Sequence, residues 1–157
     1  MRNALGAAPV PFDAMTDAVQ YITDLEAIRS LTQRYARAVD ARDIDAVGAL
    51  FHPDAQVEGL RGAAPIGPYL DAMRNAPAAF AASMHVLGDP LVTFTAGADE
   101  ASTDTYAVVH QLRDADAPEG DLTLGMRYFD QLVRHEGTWV IVHRRTATIW
   151  MRGTLPG

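Results

Sequence analysis

The spacing of apolar residues changes once along this chain, and that change limits what it can fold into. Between Thr23 and Val39 they recur every three or four residues (Leu25, Ile28, Leu31, Tyr35, Val39), which predicts a helix over Thr23–Asp40. The sequence Thr23-Asp24-Leu25-Glu26 reads as its capping box, in which Thr23 and Glu26 satisfy each other's free backbone N–H groups. Asp43 is placed to cap a short second helix carrying Ile44, Val47 and Leu50. His52-Pro53-Asp54 predicts a turn and Ala55–Leu60 a short strand. Gly67-Pro68 opens a third helix with Tyr69, Leu70 and Met73, and Asn75-Ala76-Pro77 breaks or kinks it. From Ser83 onward the period falls towards two. Four strands are predicted, over 84–95, 101–113, 122–135 and 138–151, with short connections apart from an acidic 114–121 loop. Neighbouring strands so connected pair antiparallel. Helices followed by a meander give an α+β fold, a strongly curved, mostly antiparallel sheet covered on one face by three N-terminal helices and enclosing a conical pocket. Residues 1–20, rich in Ala and Pro, predict a loose arm, or one docked on a neighbouring subunit, ahead of a single domain over 21–157.

Composition removes several chemistries. The chain has 157 residues, enough for one substantial core, and a formal net charge of -7. Its longest basic stretch is Arg144-Arg145, so nucleic-acid binding, which needs a positive stripe, is not expected. There is no cysteine, which excludes disulfides, thiolate nucleophiles and cysteine-based metal sites. All 13 basic residues are arginine, so Schiff-base chemistry and a P-loop lysine are excluded too. No apolar run approaches the roughly 18 residues of a membrane span. The N-terminus lacks the apolar core of a secretory signal, and a cytoplasmic protein is the expectation.

A few polar residues stand where stability alone would not place them. Tyr35 puts a hydroxyl on the apolar face of the first helix. Asp40 sits at the C-terminal end of that helix, where the macrodipole disfavours a carboxylate by about 0.3–1 kcal/mol. His85 begins the first long strand, and His110 shares parity with Asp104, Tyr106, Val108 and Leu112 on the second. Arg144 and Arg145 point to opposite faces of the last strand, so one of them can turn inward. Taken singly, Tyr35 reads as core, Asp40 as a solvated helix end, His85 as a backbone-bonded structural histidine and His110 as a surface residue. His52 and His135 fall in predicted turns. The histidines show no metal-ligand spacing, and neither a metal nor a cofactor is expected.

Three segments, DLEAIRSLTQRYARAVDARDIDAVGALFHPDA, SMH and MRYFDQLVRHEGTWVIVHRR, together resemble the SnoaL-like group of the NTF2-like superfamily. The resemblance covers about residues 20–152. It implies a cone-shaped α+β barrel of the kind that houses scytalone dehydratase, bile-acid 7α-dehydratase, ketosteroid isomerase and polyketide cyclases. By the same resemblance Tyr35 and Asp40 match the tyrosine and aspartate of the first helix of the dehydratases, and His85 their strand histidine. His110 matches a second pocket position, and Arg144, or else Arg145, a pocket arginine. Gly59 stands where the bile-acid enzyme carries a tyrosine.

The implied chemistry is a cofactor-independent elimination of water from a hydrophobic cyclic hydroxy-carbonyl compound. His85 takes and returns a proton, oriented by Asp40, because histidine titrates near neutrality and a carboxylate fixes its tautomer. Tyr35 polarises the carbonyl, and His110 supports Asp40 or the leaving hydroxyl. Arg144, Tyr106, Tyr128, Trp150 and Met84 are the expected substrate-binding residues. An isomerase or cyclase of natural-product tailoring, and a non-catalytic small-ligand-binding module, are the alternatives. An exposed sheet back carrying Trp139 or Ile141 is expected to drive assembly into a dimer or trimer.

Overall fold

The computed structural model of the chain describes residues 12–60, 62–75, 80–117 and 120–155. Three helices, α1 (Phe12–Asp40), α2 (Ile44–Gly48) and α3 (Ile66–Asn75), accompany seven strands. These are β1 (Phe51–Gly59), β2 (Gly62–Pro65), β3 (Ala82–Leu87), β4 (Leu91–Phe94), β5 (Glu100–Leu112), β6 (Leu122–His135) and β7 (Thr138–Arg152). They form one sheet in the order β2-β1-β7-β6-β5-β3, with β4 also paired to β5. The β1–β7 pairing is parallel and the other described pairings are antiparallel. The helices pack on one face of this curved sheet, the α+β arrangement expected from the change of period.

Some boundaries differ from the expectation. Helix α1 begins at Phe12, so residues 12–20 of the expected arm are helical, while 1–11 lie outside the described residues. No Gly or Pro stands between Pro11 and Gly48, and nothing in the sequence stops the helix at Thr23. The Thr23 hydroxyl accordingly bonds the Val19 carbonyl at 2.9 Å, one turn back, instead of capping. His52, Pro53 and Asp54 lie inside β1, not in a turn. The expected 84–95 strand is two. The Gly88 N–H still donates to the Tyr106 carbonyl at 2.8 Å, but Pro90 has no N–H to continue the ladder.

The core lies between α1 and the sheet. Ile28, Leu31, Tyr35 and Ala38 pack against Phe51, Ala55, Val57, Leu132, Trp139 and Ile141. Trp139 and Ile141, expected on an exposed sheet back, are 5% and 0% exposed. Trp139 faces α1, where its indole N–H donates to Asp24 at 3.1 Å. The same carboxylate takes an Arg134 ion pair at 2.9 Å, and the Arg134 guanidinium lies 4.6 Å from the Trp139 ring centre. Desolvation pushes the Asp24 pKa up, but the hydrogen bonds from Trp139 and Arg134 outweigh it and hold the carboxyl below its ordinary value. This clamp fixes α1 on the β6–β7 hairpin.

Candidate active site

Helix α1 ends so that its last carboxylate meets the edge strand. The Asp43 N–H bonds the Ala38 carbonyl and the Arg42 N–H the Val39 carbonyl, with Arg42 at φ 55°, a Schellman-type stop. Asp43 then caps α2 by accepting from the Ala46 N–H at 3.0 Å, as its position predicted. The stop leaves Asp40 at the end of the helix, beside β3. One oxygen of Asp40 lies 2.6 Å from His85 Nδ1, and the other accepts the His85 backbone N–H at 2.9 Å. Two donors thus offset the unfavourable end of the helix dipole.

The His85 side chain is 7% exposed and that of Asp40 24%. A carboxylate can only accept, so the ring proton sits on Nδ1 and the Nε2 lone pair is free to take a proton. Around the ring the strands present apolar side chains. His85 pairs with Val109 and Leu87 with Ala107, and these face Leu124 and Met126 on β6.

Further along the same inner face lies a polar cluster. Arg144 is completely buried and bonds Asp130 through Nε at 2.7 Å and Nη2 at 2.6 Å. Its guanidinium carbon lies 4.0 Å from the ring centre of Tyr35, 5.1 Å from that of Tyr128 and 5.5 Å from that of Phe51. Burial works against the Arg144 charge, but the Asp130 carboxylate outweighs it and raises the pKa. The Tyr35 hydroxyl lies 3.3 Å from that of Tyr69 on α3. Tyr35 nearby, and then burial, push the Tyr69 phenol well up; burial first, and then Tyr35, push up that of Tyr128. Both therefore stay protonated and can donate hydrogen bonds at neutral pH.

Of the expected site residues, the inner face brings together Asp40, His85, Tyr35, Tyr128 and Arg144. It does not include the other four. His110 pairs with Met84 across β3–β5 and with Thr123 across β5–β6, one residue out of phase with His85 and Val109. Side chains alternate along a strand, so His110 and Met84 point to the outer face. His110 has the Thr123 hydroxyl at 3.4 Å, and Met84 is 54% exposed. Tyr106 is also on the outer face, with the Arg127 guanidinium 5.1 Å from its ring centre. Trp150 lies over Gly125 there, where any Cβ would strike the indole. His110 therefore cannot support Asp40, and Met84, Tyr106 and Trp150 do not line the space beside His85.

The choice between the two arginines is settled by the same parity. Arg144 is inside, while Arg145 is exposed and lies 4.0 Å from the Phe129 ring centre on the outer face. Leu91, Thr93, Ser102, Asp104, Phe129 and Arg145 line an open groove there of about 420 Å³, which shares no residue with the dyad. At Gly59 a Cβ would come within 2.7 Å of the Thr146 hydroxyl, so any side chain there would require Thr146 to move. Tyr69 supplies a phenol from α3 instead. Neither Tyr69 nor Asp130 was singled out from sequence. A buried arginine demands a carboxylate in the next row, and that signal could have found Asp130.

Several solved structures resemble this chain. One, from Novosphingobium aromaticivorans and provisionally named an aromatic ring hydroxylase, is 28% identical with a TM-score of 0.73, covering 85% of this chain and 94% of its own. A second from the same organism, provisionally named a scytalone dehydratase, is 19% identical with a TM-score of 0.75, covering 89% and 93%. A type-3 hexachlorocyclohexane dehydrochlorinase from Novosphingobium barchaimii is 14% identical with a TM-score of 0.76, covering 87% and 94%. No curated protein matches the chain. The model of the SnoaL-like domain matches residues 20–145, and the chain belongs to that family, with the NTF2-like fold its sheet and helices display.

Proposed function

We propose that this protein is a cofactor-independent lyase, a dehydratase acting on a hydrophobic cyclic hydroxy-carbonyl compound. The observation that carries the reading is the 2.6 Å contact between Asp40 and His85 Nδ1 beside an apolar wall. His85 Nε2 removes the proton next to the carbonyl, and the electron pair moves onto the carbonyl oxygen as an enolate. Asp40 stabilises the imidazolium so formed. The hydroxyl phenols of Tyr35 and Tyr69, 3.3 Å apart, donate to the enolate oxygen. As the enolate collapses, the β C–O bond breaks and the imidazolium returns its proton to the departing hydroxide, giving an enone and water. Returning that proton to another carbon would make the same dyad an isomerase, and attack of the enolate carbon on a second carbonyl of the substrate, with the proton passed to the new alkoxide, a cyclase.

A second reading is a non-catalytic ligand-binding module, in which the Asp40 bonds to the His85 ring and backbone N–H serve only to hold the edge strand against α1. A panel of cyclic β-hydroxy ketones, followed by enone absorbance, separates the two. Turnover by the wild type, abolished in His85→Gln, supports the lyase. Absence of turnover across the panel, with ligand affinity unchanged in an Asp40→Asn/His85→Gln variant, leaves the binding module.

We also infer that copies of the chain associate through the outer sheet face. Tyr106, Met84, Val86 and Trp150 are 58%, 54%, 50% and 44% exposed there. A contiguous apolar patch of this kind marks an interaction surface. Beside it Arg127 is paired with Asp104, so a second copy would bring an apolar surface of the same balanced charge. Val86→Asp should convert a dimer or trimer to monomer in light scattering; a wild type already monomeric at high concentration overturns this.

A further inference from the structure

The open groove on the outer sheet face is built from two successive rows of side chains that cross four strands. The first row is Leu91, Asp104, Phe129 and Arg145, each the register partner of the next. The second is Thr93, Ser102, Gln131 and His143, paired in the same way. Thr93 and Ser102 are short, so the step down from the first row to the second makes a trough. Four strands at the usual spacing give it a length of about 14 Å. Its volume of about 420 Å³ falls in the range of small-molecule sites. The trough is separate from the apolar patch of Met84, Val86 and Trp150, which pair with His110, Val108 and Gly125 further along the strands.

The charged groups of the trough are not equally engaged. Asp104 gives both carboxylate oxygens to Nε and Nη2 of Arg127, which lies on the side away from the second row. Glu58, beside Arg145 on β1, holds His143 Nε2 at 2.9 Å. Among the described residues no carboxylate lies within ion-pair distance of Arg145, although Asp104 feels its field. The Arg145 guanidinium rests instead 4.0 Å from the Phe129 ring centre. Its N–H donors lie in the plane of the guanidinium, where they suit a planar acceptor with two oxygens. At the far end of the row Leu91 is 69% exposed and offers apolar surface.

We propose that this trough is a second binding site, for a small aromatic carboxylate. The carboxylate meets the Arg145 fork at the β7 end. The ring lies beside Phe129, over Thr93 and Ser102, and reaches towards Leu91. An ammonium group would meet Arg145 as a like charge, and a neutral ring would leave the fork without its best-matched acceptor. A second negative group on the ligand would lie against Asp104 or Glu58, so a monoanion is selected. The trough is on the opposite face of the sheet from His85 and does not depend on the reaction there.

Calorimetric titration with 2-naphthoate, its neutral isostere 2-naphthamide and acetate tests this. Naphthoate should bind about tenfold tighter than the amide, the value of a hydrogen bond to a charged group. Acetate, with the charge but no ring, should bind more weakly than naphthoate. Arg145→Gln should remove the preference for the acid. Ser102→Phe, which fills the trough and leaves Arg145 in place, should abolish binding of both aromatic probes. Both substitutions are at exposed positions, and thermal melting checks that the variants fold. Should Ser102→Phe fail to fold, Arg145→Gln decides. His85→Gln should leave naphthoate affinity within about twofold, as expected of a distant site. The proposal is overturned by equal affinity for acid and amide, by no binding of naphthoate, or by unchanged affinity in a folded Arg145→Gln or Ser102→Phe. Loss of binding in His85→Gln would place the probe on the inner face and overturns it as well. Affinity that falls as protein concentration rises would mean that a second copy fills the trough, which also overturns it.

Discussion

Met84 and His85 are adjacent in the chain yet belong to different surfaces. His85, with Val109 and Leu124 beside it, faces α1 and is held by Asp40. Met84, with His110 and Thr123 beside it, faces away from the helices, and the Thr123 hydroxyl lies 3.4 Å from the His110 ring. Both faces carry a histidine, an arginine–aspartate pair and aromatic rings. What separates them is burial. Inside, Arg144 and Asp130 are 0% and 1% exposed at their side chains; outside, Arg127 and Asp104 are 36% and 23% exposed. A histidine becomes a candidate base through a fixed partner and a dry wall, and strand parity decides which histidine obtains them.

The largest separation between the faces should appear in turnover. His85→Gln and Asp40→Asn should each lower kcat on a responsive β-hydroxy ketone by about 10²–10⁴-fold, the range for losing a general acid–base group. His110→Gln should change it less than about threefold, because its side chain is on the other face of the sheet. A comparable loss in His110→Gln would erase the distinction.

Stability should divide the same way. Arg144→Met leaves Asp130 buried without its cation and should cost about 3–5 kcal/mol in urea unfolding. Arg127→Ala breaks a half-exposed, solvent-screened pair and should shift the urea midpoint far less. Equal costs would mean that the outer pair is as dry as the inner one, for example because another copy covers it.

Acid should test the clamp at the start of the core. The Asp24 pKa is lowered in the folded chain, so the unfolded chain takes up its proton first as pH falls. Its contribution is complete above the unfolded carboxyl value and is lost as pH drops through the lower folded value. Asp24→Asn should therefore lower stability at neutral pH and flatten the decline below about pH 4. An acid limb as steep as that of the wild type would assign it to other carboxylates.

The smallest effect is expected at the hairpin that joins β6 and β7. Glu136 and Gly137 have φ 49° and 80°, the two positive values of a type I′ turn. Asparagine tolerates that conformation better than glutamate, and Glu136→Asn should add about 0.5–1 kcal/mol without altering either face.

The same alternation explains what could be read from the sequence. The period changed where helices give way to strands, so the α+β class, the Asp43 cap and the three long strands were legible. The Asp40–His85 contact came from a family resemblance, since 45 residues separate the partners and no local pattern joins them. His110 was placed on its correct parity, but parity does not say which face is covered by helices. Covering is decided by packing, and it left His110, Met84, Tyr106 and Trp150 on the outer face. Trp139 and Ile141 went the opposite way, because α1 needed a large apolar surface to cover. Tyr69 was assigned only to the apolar side of a helix, and the distance to Tyr35 depends on how α3 docks.

The second bond of Asp40 has a consequence for solubility. Strand β3 ends the sheet, and an edge strand offers its free N–H groups to any other strand that approaches. At His85 that N–H is already taken by the Asp40 carboxylate at 2.9 Å. The residue that orients the ring also blocks one rung of the open edge, with a negative charge that discourages an incoming chain. Replacing Asp40 by a residue unable to accept would uncover a docking point for misassembly. Selection for a chain that stays dispersed would then preserve this aspartate even in a descendant that no longer used His85 for chemistry.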